Sequence, residues 1–220
     1  MNPEQLYRYV AKRYPSAYRL VIEGGRLTDD WSNVAAHCFL QALAAEVVGE
    51  ILGFEQGSID RLARTAACHD WRKRLDRRAS DFDEEARKRA TQLLATTNLD
   101  EELMAALEPS FLILAFEGKA SMLQLVQFLV DDMTMNDQFV AFDERVREVQ
   151  ARNPDPDPRV REILGRTSYW DAEREIGHNI ERMVFAICAA RHLSIATPAD
   201  LVDYVNREIA KRLEADSWIT

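Results

Sequence analysis

The chain has 220 residues, 47% hydrophobic and 30% charged, with 28 basic against 37 acidic side chains and a formal charge of -9. That balance argues for a globular domain with a real core and against bulk electrostatic binding to nucleic acid or anionic membranes. No uninterrupted apolar run reads as a bilayer span, and the first residues lack the apolar centre of a secretory leader. The three cysteines, Cys38, Cys68 and Cys188, lie in apolar helical settings. They read as buried free thiols, so the expected compartment is the reducing cytoplasm.

Helical periodicity runs through almost the whole chain, and strand-like alternation is hard to find. The fold class expected is all-α. A first helix is predicted over 3–14, with Pro3 at an early position, and a loop around Glu23-Gly24-Gly25-Arg26. Ser32 reads as the N-cap of a helix to about 52 that Gly53 stops, with Leu40, Leu43, Ala44, Val47 and Ile51 as one apolar stripe. Ser58 is the expected cap of the next helix. Further helices are expected over 83–95 and 100–107. Pro109 and Gly118 bound an apolar stretch, 111–116, whose state the pattern leaves open.

A long helix is expected from 119 through Asp131 towards Thr134, then an amphipathic one over 139–151. Prolines at 154, 156 and 158 forbid helix and mark a linker over 153–158. Helices over 158–164, 171–191 and 198–215 follow, with apolar faces Ile176, Ile180, Val184, Ile187 and Leu201, Val205, Ile209, Leu213. The division expected is a helical core over 1–152, the linker, and a C-terminal helical extension over 159–220 packed on that core. The same apolar C-terminal faces would also suit a homodimer.

Only four histidines occur in the chain. His37 has small or apolar neighbours and faces inward; alone it reads as a core histidine bonded to a backbone carbonyl. His69-Asp70 closes the apolar run Ala66-Ala67-Cys68, where an aspartate is costly unless its charge is compensated by an ion or by solvent at a helix end. Asp131-Asp132 closes the apolar run from Leu123 to Val130, and periodicity does not choose between the two. Imidazole and carboxylate together are the usual ligands of a divalent cation in a nitrogen/oxygen site. His178 and His192 read as structural or exposed.

A helical His, a His-Asp pair some thirty residues on and an Asp some sixty further resemble the HD superfamily of metal-dependent phosphohydrolases. The matching stretches are Trp31-Ser32-Asn33-Val34-Ala35-Ala36-His37, Ala66-Ala67-Cys68-His69-Asp70-Trp71-Arg72-Lys73 and Val130-Asp131-Asp132. Phe139-Val140-Ala141-Phe142-Asp143-Glu144-Arg145 resembles a segment after the last Asp in many bacterial members and favours Asp131 over Asp132. The resemblance covers about 27–153 and implies an HD-type helical bundle with His37, His69, Asp70 and Asp131 as metal ligands and Asp70 also in a catalytic role.

This chain departs from the common pattern in having Trp71-Arg72 where many members have Ile-Gly. It also has Lys73-Arg74 where some nucleotidase-type members carry a glutamate. Members with two metals have extra histidines between the His-Asp pair and the last Asp; this chain has none between His69 and Asp131, so the resemblance implies one metal and not two.

The activity implied is removal of phosphate from a nucleotide or similar small phosphomonoester by a water activated on one divalent ion, Mn, Mg, Co, Ni or Fe. Arg72 and Lys73, heading the basic run that continues with Arg74, Arg77 and Arg78, are the candidates for phosphate contact. Glu23, Arg26 and Asp30 are candidates for the mouth of the site. Trp31 and Trp71 would stack on a base or wedge the core. The alternative is an HD-type regulatory or ligand-binding module that keeps the metal with little turnover.

Overall fold

The computed structural model describes residues 2–24, 32–72 and 84–217. Among them are twelve α-helices, one 3-10 turn and one two-stranded hairpin, so the all-α expectation holds at the level of class.

α1 (Pro3–Arg13) starts on the Asn2 side chain, which accepts from the Glu4 amide, and Pro3 fills a position whose missing N–H costs nothing. It stops at Tyr14, whose backbone leaves helical geometry before Pro15. Pro15 then opens α2 (Pro15–Gly24), a helix absent from the sequence reading, and Glu23 sits on it paired with Arg19.

α3 (Ser32–Leu52) is the axis of the molecule. Every residue from 37 to 49 is buried, so the expected single stripe is in fact burial all round. The helix is long and apolar enough to cross a membrane by length and composition, contrary to the sequence reading, but 83% of that window is covered by the rest of the protein. Gly53 ends it in the left-handed region (φ 75°) while the Phe54 amide reaches back to the Gly49 carbonyl at 2.9 Å. The chain then folds back as α4 (Gln56–Ala66), capped at Glu55 and not at Ser58, and Gly49 lies against the Ile59 side chain. A turn leads into the 3-10 segment His69–Arg72.

α5 (Glu84–Thr97), α6 (Glu101–Ala105) and α7 (Phe111–Phe116) follow, the last settling the ambiguous apolar stretch as helix. α8 (Met122–Asp131) begins at a capping box in which Ser121 and Gln124 satisfy each other's backbone amides, later than the expected start at 119. It also ends earlier than expected, at Asp131. Thr134–Met135 (β1) and Gln138–Phe139 (β2) form an antiparallel hairpin, with Asn136 at φ 55° in its turn, between the two helices expected to end near 134 and to start at 139.

α9 (Phe142–Arg152), α10 (Pro158–Leu164), α11 (Tyr169–Ala190) and α12 (Pro198–Ser217) complete the chain. The segment between α9 and α10 is tied down by the Trp170 indole, which donates to the carbonyls of Asn153 and Pro154 at 3.0 Å. Leu201, Val205, Ile209 and Leu213 of α12 are buried on the face that meets α1 and α3. Glu46, in the middle of α3 and 1% exposed, accepts from Tyr9 (2.7 Å), Tyr14 (2.6 Å) and Arg212 (2.6 Å). A buried carboxylate is tolerable only when so surrounded, and here it ties α1, α3 and α12 together.

On α11, a side chain at Gly177 would collide with the Phe142 ring. The glycine lets α9 and α11 approach. Gly177→Ala is expected to lower stability by about 2 kcal/mol through overpacking, read as a reduced urea midpoint with unchanged slope. An unaltered midpoint would show that the contact is not tight.

Candidate metal centre

His37 comes from the first third of α3, His69 and Asp70 from the 3-10 turn after α4, and Asp131 from the last position of α8. α3 packs on both the 3-10 turn and α8, and α4, which leads into the turn, packs on α8. His37 Nε2 lies 3.0 Å from Asp131 Oδ1, and His69 Nε2 lies 3.3 Å from both Asp131 Oδ1 and Asp70 Oδ1. His37, His69 and Asp70 are all buried, and their ligand atoms lie within 4.8 Å of one another, a group that could hold a metal ion. The Asp131 side chain keeps 27% of its exposure and marks the side open to solvent. The structure therefore brings all four residues together, and it is Asp131, not Asp132, that meets the imidazoles.

The tautomers follow from the hydrogen bonds. His69 Nδ1 donates to the Ala66 carbonyl at 2.9 Å. In the neutral ring this leaves the Nε2 lone pair pointing at two carboxylate oxygens, with no aligned hydrogen bond there. Such a contact is repulsive unless a proton or a cation lies between the groups. Backbone fixing of Nδ1 is also the usual way of presenting Nε2 to a metal.

The ionisation equilibria say the same of the ion-free protein. Burial presses the His69 imidazole down, but Asp70 and Asp131 more than reverse this and hold it well above its ordinary value. Burial lowers His37, only partly offset by Asp131. Asp131, pushed up by burial, is carried well below its ordinary value by His69 and His37. A charged His69 is thus the proton form of a site whose carboxylates require a positive partner.

Behind Asp131 stand groups that the sequence reading passed over. Glu173 on α11 is 4% exposed and pushed up to about 7, first by burial, against a bond from Tyr169 that lowers it. Asp132 is raised well above the usual carboxylate range by burial and then by Glu173 and Asp131. Glu173 falls three residues before Ile176 on the apolar stripe of α11, and a charge on that stripe was the available signal.

Arg72 ends the 3-10 turn, but its side chain and the whole of Lys73, Arg74, Arg77 and Arg78 lie outside the described residues, as do Arg26, Asp30 and Trp31. Trp71 is half-buried and lines a cavity of about 530 Å³ with Leu94, Asn98, Leu99, Met104 and Glu108. His178 pairs with Asp143 at 3.0 Å and His192 is exposed; neither approaches the cluster. Cys38 and Cys68 are buried free thiols beside two of the candidate ligands, and burial pushes the Cys68 thiol far up, away from thiolate chemistry.

No known family, no curated protein and no solved structure matches the chain.

The ion-free protein has a defined pH signature. A folded value above the unfolded 6.5 means that His69 contributes stability fully below pH 6.5 and loses it as pH rises through the folded value. Glu173, raised from 4.5 to about 7, acts in the same direction, while His37, neutral in the fold, opposes only below 6.5. Above pH 6.5, chelator-treated protein should lose up to about 1.4 kcal/mol per pH unit for each proton released. Thermal unfolding read from pH 6.5 upward should show a falling midpoint, flattened in His69→Gln. A midpoint that rises over this range would contradict the charged His69.

Proposed function

We propose that this protein is an HD-type metal-dependent phosphohydrolase that removes phosphate from a nucleotide or a similar small phosphomonoester. The observation that carries the reading is the convergence of His37, His69, Asp70 and Asp131 from three separated segments, with the His69 lone pair set against two carboxylates. A helical domain without an ion gains nothing from burying that arrangement.

Nitrogen and oxygen donors without thiolate suit Mn, Mg, Co, Ni or Fe, and one ion accounts for the four residues. His37 and His69 present Nε2, and Asp70 and Asp131 each present an oxygen. A divalent cation held there supplies Lewis acidity towards a phosphoryl oxygen and lowers the pKa of a water. Asp70, buried beside His69, also serves as the proton acceptor for the attacking water. Burial of the two imidazoles excludes bulk solvent from that side of the site, and the exposed edge at Asp131 is where substrate enters.

The cavity beside Trp71 supports a small substrate. Glu101 and Glu108 on its rim disfavour phosphate there, so it suits the base or another uncharged portion of the molecule. Phosphate contact is assigned to Arg72 and Lys73, whose chain positions directly follow Asp70 and Trp71.

The decisive assay measures bound metal and phosphate release from a panel of nucleotides with each divalent ion. Metal-dependent release that falls at least about a thousandfold in Asp70→Ala is expected. Bound metal without release from any phosphomonoester would leave a binding or regulatory module, and no bound metal would sink both readings.

A further inference from the structure

Beneath the four ligands lies a second set of polar side chains that the metal reading does not use. Gln41, Thr65 and Gln127 are each 0% exposed. Neither side-chain amide atom of Gln41 or Gln127, nor the Thr65 hydroxyl, has a hydrogen-bond partner among the described residues. Each is four residues from a ligand: Gln41 follows His37, Thr65 precedes His69 and Gln127 precedes Asp131. On α3 and α8 that spacing keeps the same face, one turn along, and Thr65 lies in the last turn of α4, just before the turn that leads into His69.

The packing register brings the three to one level. Across the α3–α4 hairpin, Gly49 meets Ile59 and the His37 and His69 rings lie 5.2 Å apart, so Gln41 falls opposite Thr65. Arg61 of α4 binds Asp100 and reaches Glu102, whose carbonyl accepts from Gln124 near the start of α8. At the other end Asp131 meets His69. α8 therefore runs alongside α4 in the same direction, and Gln127 falls beside Thr65 as Asp131 falls beside His69.

Five polar atoms left dry in a core would forfeit the hydrogen bonds that they make to water in the unfolded chain. Their chemistry identifies what they bind. Two carboxamides and a hydroxyl offer both donors and acceptors and no charge, which suits neither a bare cation nor an anion. A neutral guest that both donates and accepts, with two to four polar partners, is water. We infer that Gln41, Thr65 and Gln127 form an internal water-binding site, one helical turn below the His–Asp cluster, that holds α3, α4 and α8 at the spacing their ligands require. The three are positioning residues: they act on His37 and Asp131 through α3 and α8, and on His69 through the end of α4 that leads into its turn.

The test is run on metal-free protein, so its result is independent of the phosphohydrolase reading. A crystal structure at atomic resolution should show ordered water bonded to at least two of the three side chains. Oxygen-17 relaxation dispersion should show long-lived internal water that is lost in Gln41→Met/Gln127→Met. The imidazole nitrogen shifts of His37 and His69 should move in the same variant. Amides bonded directly to each other around a dry layer would overturn the water site, a result the unsubstituted protein gives even if the variant does not fold. Unmoved imidazole shifts in a folded variant would overturn the positioning role.

Discussion

Everything near the centre of this protein answers to one electrostatic constraint: a buried imidazole nitrogen with two carboxylate oxygens at 3.3 Å. With Nδ1 committed to the Ala66 carbonyl, His69 can satisfy Asp70 and Asp131 only by carrying a proton or by sharing a cation with them. The rest of the bundle makes that arrangement hard to relax. His69 and Asp70 sit on a tight turn at the end of the α3–α4 hairpin, and Asp131 closes a helix whose start is fixed by a capping box. Moving His37 or His69 away would mean repacking buried side chains against α3, whose residues 37 to 49 are all buried.

The C-terminal helices belong to the same structure. They supply Arg212 to the Glu46 cluster and Tyr169 and Glu173 to the region behind Asp131, and Arg191 lies over Gly53 at the hairpin turn. Acidic groups accumulate there: burial first, and then repulsion from neighbouring carboxylates, raises Asp132 well above the usual carboxylate range and Glu173 to about 7. A divalent ion held by His37, His69 and Asp70 would relieve this field.

The site was legible where chemistry is rare. Two of four histidines and two aspartates at the ends of apolar runs stand out against a helical background, and the fold puts these residues together. The same logic extends to Glu173, Gln41 and Gln127, polar groups on buried faces that only tertiary packing turns into neighbours. The fold class was legible from periodicity, but boundaries were not. α2 has no apolar pattern distinct from its flanks, and Pro15 reads equally as a stop for α1 or as the start of a helix. The Ser121–Gln124 capping box is visible in the chain once sought. The hairpin at 134–139 is set by Asn136 in a left-handed turn and by pairing too short for alternation to reveal. A helix buried on every side, like α3, shows composition without a stripe, which is why it passes for a membrane span by hydropathy alone.

The most direct measurement is anomalous diffraction from crystals of the full chain grown with manganese. A single anomalous peak bonded to Nε2 of both His37 and His69 and to the carboxylates of Asp70 and Asp131 is the predicted result. Crystals with no peak at these four side chains, or with His69 still bonded as an imidazolium between Asp70 and Asp131 in the presence of excess metal, would contradict it.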